Sequence, residues 1–200
     1  MFLLYRKKYK TYPDQIEIDG RIYNINADFR NILRIFDMLD DENIPEIKKL
    51  DLLARWFCED MPPENVSEAF LDFISVRQRR ESDEVSEEEG EQQFCYSFDA
   101  KEIYAGFLSE YNIDLIDIDF LHWYKFKILL ENLSPESAFK RKIELRFMDL
   151  SEAGTGRRFA ELAEAKEAVR LPTRDIKIQE VQEIQEIEEF NKIWGKAGNN

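Results

Sequence analysis

The stretch Phe94–Leu133, FCYSFDAKEIYAGFLSEYNIDLIDIDFLHWYKFKILLENL, decides the fold. It holds the single histidine of the chain, His122, and one of its three tryptophans, Trp123. Asp99 stands three residues before Glu102, the spacing of a capping box, so a helix is expected to start there. Ile103, Tyr104, Phe107, Leu108 and Tyr111 recur at three- and four-residue steps and share one face. Asn112 ends that run. Beyond a short joint, Phe120, Trp123, Phe126, Leu130 and Leu133 form a second stripe, widened by Leu121, Tyr124, Ile128 and Leu129. A helix apolar over so much of its circumference is expected to be buried on most sides. The core is therefore expected to be a helical hairpin.

Downstream, Ser134-Pro135-Glu136-Ser137 is expected to open another helix with Pro at its first position, carrying Phe139, Ile143, Phe147 and Leu150. A charged helix is expected from about Arg158 to Arg170, ended by Pro172. From Asp175, Val181, Ile184, Ile187, Phe190 and Trp194 form a narrow apolar seam on a long amphipathic helix.

Upstream, Gln15 to Ile25 reads as a β-hairpin turning at Asp19-Gly20. A strict two-residue turn would set Ile18 opposite Arg21, and a three-residue loop with a bulge would bring Ile22 across; the alternation alone permits both. A lone hairpin is marginal in water, so it is expected to pack on helices or pair with a neighbouring strand. Helices follow at about Asp28–Leu39 (Phe29, Ile32, Leu33, Phe36 on one face), from a cap at Asn43 to Phe57 (Leu50, Leu53, Trp56, Phe57), and from Pro63 or Glu64 (Val66, Phe70, Phe73, Ile74) to the basic cluster Arg77, Arg79, Arg80. Residues 81–91, ESDEVSEEEGE, carry seven acids and no base. Like charges repel along them and little apolar area is on offer, so they are expected to form a flexible loop inside one domain.

The organisation expected is a basic arm at 1–13, a helical domain at 14–170 and an amphipathic helix with a tail at 171–200. The fold class is mainly α, with one short N-terminal β-hairpin. The 200 residues are 44% hydrophobic and 35% charged, with a formal net charge of −14. Such an acidic surface repels phosphate, which argues against sequence-independent nucleic-acid binding and makes basic protein segments the better-matched partners. Cys58 and Cys95 have no CxxC spacing, which suits a reducing compartment. No apolar run reaches the length of a membrane span, and the first ten residues lack the order of a signal peptide.

The chemistry-bearing patterns are missing. One histidine gives a serine or cysteine nucleophile no choice of imidazole, and His122 falls within the most apolar expected helix, where a hydrogen-bonded core role fits best. Gly154-Thr155-Gly156 lacks the lysine of a phosphate-binding loop. Asp114, Asp117 and Asp119 lack the glycine and closing glutamate of an EF-hand, and Asp117 or Asp119 is expected to cap the next helix. The reading is of a non-enzymatic protein with no metal and no cofactor.

Four segments resemble a known family. They are IYAGFLSEYNIDL at 103–115, LHWYKF at 121–126, IEIDGRIYNINADFRNIL at 16–33 and ELRFMDLS at 144–151. The family is the bacteriophage gene product fifteen family of tailed phages and prophages of Gram-positive bacteria, and the resemblance covers roughly residues 14–170. Ile103, Tyr104, Phe107, His122, Trp123 and Phe126 carry the signature. Tyr124 departs from it, since a second tryptophan is more usual there, and the seam helix after Asp175 has no clear counterpart. The resemblance implies a gene in the tail morphogenesis block, upstream of the tape measure protein, and a tail assembly chaperone in the host cytoplasm. The implied partners are the tape measure protein and further copies of the chain. Val181, Ile184, Ile187, Phe190 and Trp194 are the first candidate contact surface, and the edge of the hairpin is the second. The alternatives are a structural tail or head–tail junction protein and, from a different class, an acidic DNA mimic that inhibits a host defence enzyme.

Overall fold

In the computed structural model, residues 12–59, 65–75, 93–150 and 156–171 are described. They form a two-stranded antiparallel hairpin and seven helices, a mainly α architecture. They fall into two compact units, 12–75 and 93–171. The division falls inside the acidic stretch 81–91. The seam residues Val181, Ile184, Ile187, Phe190 and Trp194, the arginines 77, 79 and 80 and the basic arm up to residue 11 lie outside the described residues.

The first unit begins with β1 (Gln15–Ile18) and β2 (Arg21–Asn24). Ile18 pairs with Arg21 and Gln15 with Asn24, so the turn is the strict two-residue kind. Asp19 and Gly20 both have positive φ, 51° and 77°, the backbone hand that matches strand twist and that an Asp-Gly pair tolerates best. This register puts Ile16, Ile18 and Tyr23 on the inner face and Ile22, 68% exposed, on the outer one. The hairpin packs on a helix, as a marginal element must: β1 lies against α3 (Val66–Ile74). The chain after β2 also pairs, through an Ile25–Cys58 bridge and the backbone bonds Asn26 N–H to Phe57 O and Glu59 N–H to Asn24 O.

Helix α1 (Phe29–Leu39) is capped by Asp28, whose carboxylate accepts from the Arg30 N–H at 3.0 Å. It buries Phe29, Ile32, Ile35, Met38 and Leu39, while Leu33 and Phe36 are half-buried. The expected face was thus right at its first two positions and rotated at the next two. Helix α2 (Glu46–Phe57) has Pro45 at its N-cap and no side-chain cap; Asn43 instead bonds to Asp41 in the preceding turn. Its buried face is Lys49, Leu53, Ala54 and Phe57. All four apolar residues expected on α3 are buried, and Phe70 meets Phe57 edge-on at 5.0 Å. The Asn31 amide donates to the carbonyls of Asn26 and Trp56 at 3.0 and 2.7 Å, tying α1 to the end of α2.

The second unit contains α4 (Ala100–Tyr111), α5 (Trp123–Glu131), α6 (Ala138–Phe147) and α7 (Arg157–Ala168). Asn112 takes the left-handed conformation that stops α4, as expected from its position. Helix α4 packs on both α5 and α6, and α6 packs on α7. Gly106 brings α4 close to the end of α5: a Cβ there would stand 2.9 Å from a methyl of Leu133. Helix α6 is capped by Ser137, whose hydroxyl accepts from Lys140 N–H, so Pro135 lies in the turn before the helix and not in its first position. The expected stripe Phe120–Leu133 holds for Trp123, Phe126, Leu130 and Leu133, all buried. Phe120 precedes the helix and is exposed, as is Ile128, so α5 is buried along one side and not around most of its surface.

Candidate functional site

The second unit is built around two features, an aromatic seam and a buried ion cluster. In the seam, Trp123 stacks on Phe126 and Phe126 on Phe107, with ring centroids 5.8 and 5.2 Å apart. Tyr96 lies against both Trp123 and Phe126, and Phe94 links Tyr96 to Phe139 of α6. Burial, with Glu131 adding a smaller push, raises the Tyr96 phenol above its ordinary range, so it stays neutral. Four of the six signature residues, Ile103, Phe107, Trp123 and Phe126, are therefore interior packing residues.

Tyr104 and His122 do other work. Tyr104 is half-buried and donates its hydroxyl to Asp114 at 3.1 Å, a bond that raises the phenol. His122 is not inside α5 but at its N-cap: Nδ1 accepts from Tyr124 N–H at 3.1 Å, in place of the expected cap by Asp117 or Asp119. An Nδ1 that accepts carries no proton, which keeps the Nε2-protonated neutral tautomer in this arrangement. Asp114 is also occupied. Its carboxylate accepts from the N–H groups of Ile116 and Asp117, which together with Tyr104 hold it below the usual carboxylate range.

The ion cluster centres on Asp99, whose side chain has no exposed surface. The capping box expected of Asp99 and Glu102 does not form, because both carboxylates are taken by cations from α6. Arg146 forks onto both Asp99 oxygens, at 2.8 and 2.5 Å, and Lys142 lies 2.8 Å from the same carboxylate and 3.0 Å from Glu102. The Cys95 N–H supplies a further bond at 3.0 Å. Arg146 also donates to the carbonyls of Gln93 and Val169, so one guanidinium joins the start of the unit, α4, α6 and the end of α7. The ring of Phe98 lies under both cations, with Lys142 Nζ 4.6 Å from its centroid. Burial works to raise the Asp99 pKa, but the bonds from Arg146, Lys142 and the Cys95 amide outweigh it and hold it below the ordinary 3.8.

With both Asp99 oxygens saturated and sealed from water, this group has no access to a substrate proton; the cluster is a fastener. Sequence reasoning missed it, although a signal was present. On α6 Phe139, Lys142 and Arg146 stand at i, i+3 and i+7, so two cations occupy the helix face that the buried Phe139 directs inward. Cations on an inward face require buried acids opposite them. Among the described residues no group of three His, Cys, Asp or Glu side chains is placed to hold a metal ion, and no helix is long and apolar enough to cross a membrane.

Searches of curated proteins and of solved structures return no match to this chain. A family model described as Bacteriophage Gp15 protein matches residues 10–171. That match takes in the hairpin, all seven helices, the aromatic seam and the Asp99 cluster. Spanning well over half of the sequence, it shows that this chain belongs to the Bacteriophage Gp15 protein family.

Proposed function

We propose that this bacteriophage protein is a non-catalytic tail assembly chaperone that binds the tape measure protein in the host cytoplasm and acts as an oligomer. The family match over residues 10–171 carries the reading. The physical chemistry supports it: a −14 chain of short helices suits a soluble partner for a long, helix-rich protein that would otherwise self-associate. The amphipathic segment with Val181, Ile184, Ile187, Phe190 and Trp194 is one candidate contact, and the outer edge of the hairpin is another.

Co-expression with the tape measure protein of the same phage, followed by affinity capture at low and moderate salt, tests the reading. A complex that keeps the tape measure protein soluble is expected. No complex at either salt concentration sinks it. Mass spectrometry of purified virions separates it from a structural role, because a chaperone leaves before the particle is complete. Stoichiometric recovery in particles would make the chain a structural tail or head–tail junction protein instead.

A further inference from the structure

The loop between α4 and α5, residues 112–122, displays apolar side chains while hydrogen bonds tie its first half. Ile116 is 73% exposed and Phe120 is 56% exposed, the two most exposed large apolar residues among those described in the second unit. Leu115 and Leu121, their chain neighbours, are buried and anchor the loop on either side. Just before Leu115, Asp114 collects the Tyr104 hydroxyl and the N–H groups of Ile116 and Asp117, and the Ile118 N–H reaches the Asp114 carbonyl at 3.0 Å. Scattered exposed apolar residues are ordinary on protein surfaces. Two of them within five residues, on a loop whose hydrogen bonds hold its shape in advance, reduce the ordering cost of binding.

The charge along this stretch of chain is of one sign. Asp114, Asp117 and Asp119 lie in this loop and Glu110 at the end of α4, with no Lys or Arg from residue 102 to residue 124. We propose that this loop is a docking surface for a basic amphipathic segment of the tape measure protein, whose apolar side chains cover Ile116 and Phe120 while its lysines and arginines face the aspartates. The inference rests on the chaperone reading and specifies the partner's chemistry and where on the chain it sits.

The test scans overlapping fluorescent peptides of the tape measure protein against the full chain by anisotropy. Peptides that bind should be basic and amphipathic, and their affinity should fall as salt rises. Ile116→Ser with Phe120→Ser should weaken binding at least about 30-fold, and Ile47→Ser, at an exposed position of α2, should leave it unchanged. Asp117→Asn with Asp119→Asn, which leaves both apolar side chains in place, should flatten the salt dependence and so tests the site even if the first variant folds poorly. Undiminished binding by both loop variants overturns the docking site while leaving the chaperone reading intact. Acidic peptides among the binders, or loss of self-association as the sole effect of the loop variants, overturns it as well. No binding of any peptide or of the whole tape measure protein removes both.

Discussion

The two units of this chain close their interiors by different means. In the first, the hairpin and α1–α3 meet through hydrocarbon and rings: Phe57, Phe70, Ile32, Ile35, Leu39 and Leu53 are fully buried. Its buried cation, Lys49, pairs with a Glu46 that is itself half in water. In the second, the aromatic seam of α4 and α5 is joined to α6 and α7 by charge. Helix α6 has one fully interior residue, Phe139, and α7 has none. A helix that buries so little apolar area draws little from the hydrophobic effect and must be held otherwise. Arg146 bonding to Val169 O and Lys166 bonding to Met148 O supply that hold. The difference teaches that a small helical unit can replace part of its core with one saturated buried ion cluster, at the cost of depending on every member of it.

That dependence can be broken directly. Arg146→Met should destabilise the second unit by about 3–5 kcal/mol, because Asp99 is left buried with too few partners. Hydrogen exchange read peptide by peptide should show the loss in residues 93–171 and spare 12–75; equal loss in both units would erase the contrast. Acid gives a milder version. Asp99 titrates below its ordinary 3.8, so the folded state binds fewer protons than the unfolded one at the same pH. Its stabilising contribution is present above that value and is lost as pH falls through the depressed folded value. Exchange protection in 93–171 should therefore drop before that in 12–75 in a titration downward from pH 5, and Asp99→Asn should abolish the lead.

The first unit has its own polar tie, and it is smaller. Asn31→Ala should cost about 1–3 kcal/mol by leaving the Trp56 and Asn26 carbonyls short of a donor, measured as a shift in the urea midpoint. A loss approaching that of Arg146→Met would mean that the first unit also leans on a polar fastener. At the lower end, Ile22→Ser on the open face of the hairpin should change stability by no more than about 0.5 kcal/mol. A larger loss would show that this face is covered in solution.

Some of this was legible beforehand, and the reasons differ by residue. On α3, Val66, Phe70, Phe73 and Ile74 were correctly expected inside, because they are the apolar residues at helical spacing and few other phases compete. On α1 the apolar residues come in adjacent pairs, 32/33, 35/36 and 38/39, so two neighbouring stripes fit the same spacing. Packing against the rest of the unit chose the stripe with Ile35 and Met38, although the Phe36 ring still reaches Phe70 at 6.2 Å. Cap assignments failed where a side chain had a better distant partner. Asp99 stands at the N-cap of α4, yet its carboxylate serves Arg146; at α5 the helix starts later than Asp117 and Asp119, so His122 is the residue placed to cap it. Of the candidate contact surface, the hairpin edge took its register from the turn, and the α4–α5 loop went unnoticed because exposure cannot be read from composition.

The stretch Phe94–Leu133 shows where the line falls. Its periodicity and Asn112 were enough to determine two helices and a joint, because helical spacing, helix stop signals and the left-handed tolerance of Asn act over a few residues. In the same way Asp19-Gly20 determined the hairpin turn. What only the tertiary structure decided is which charges meet. Asp99 and Arg146 are 47 residues apart, and nothing local distinguishes that acid from the 41 others. An ion pair gains its strength from exclusion of water, and that exclusion exists only once α4, α6 and the end of α7 have closed around it.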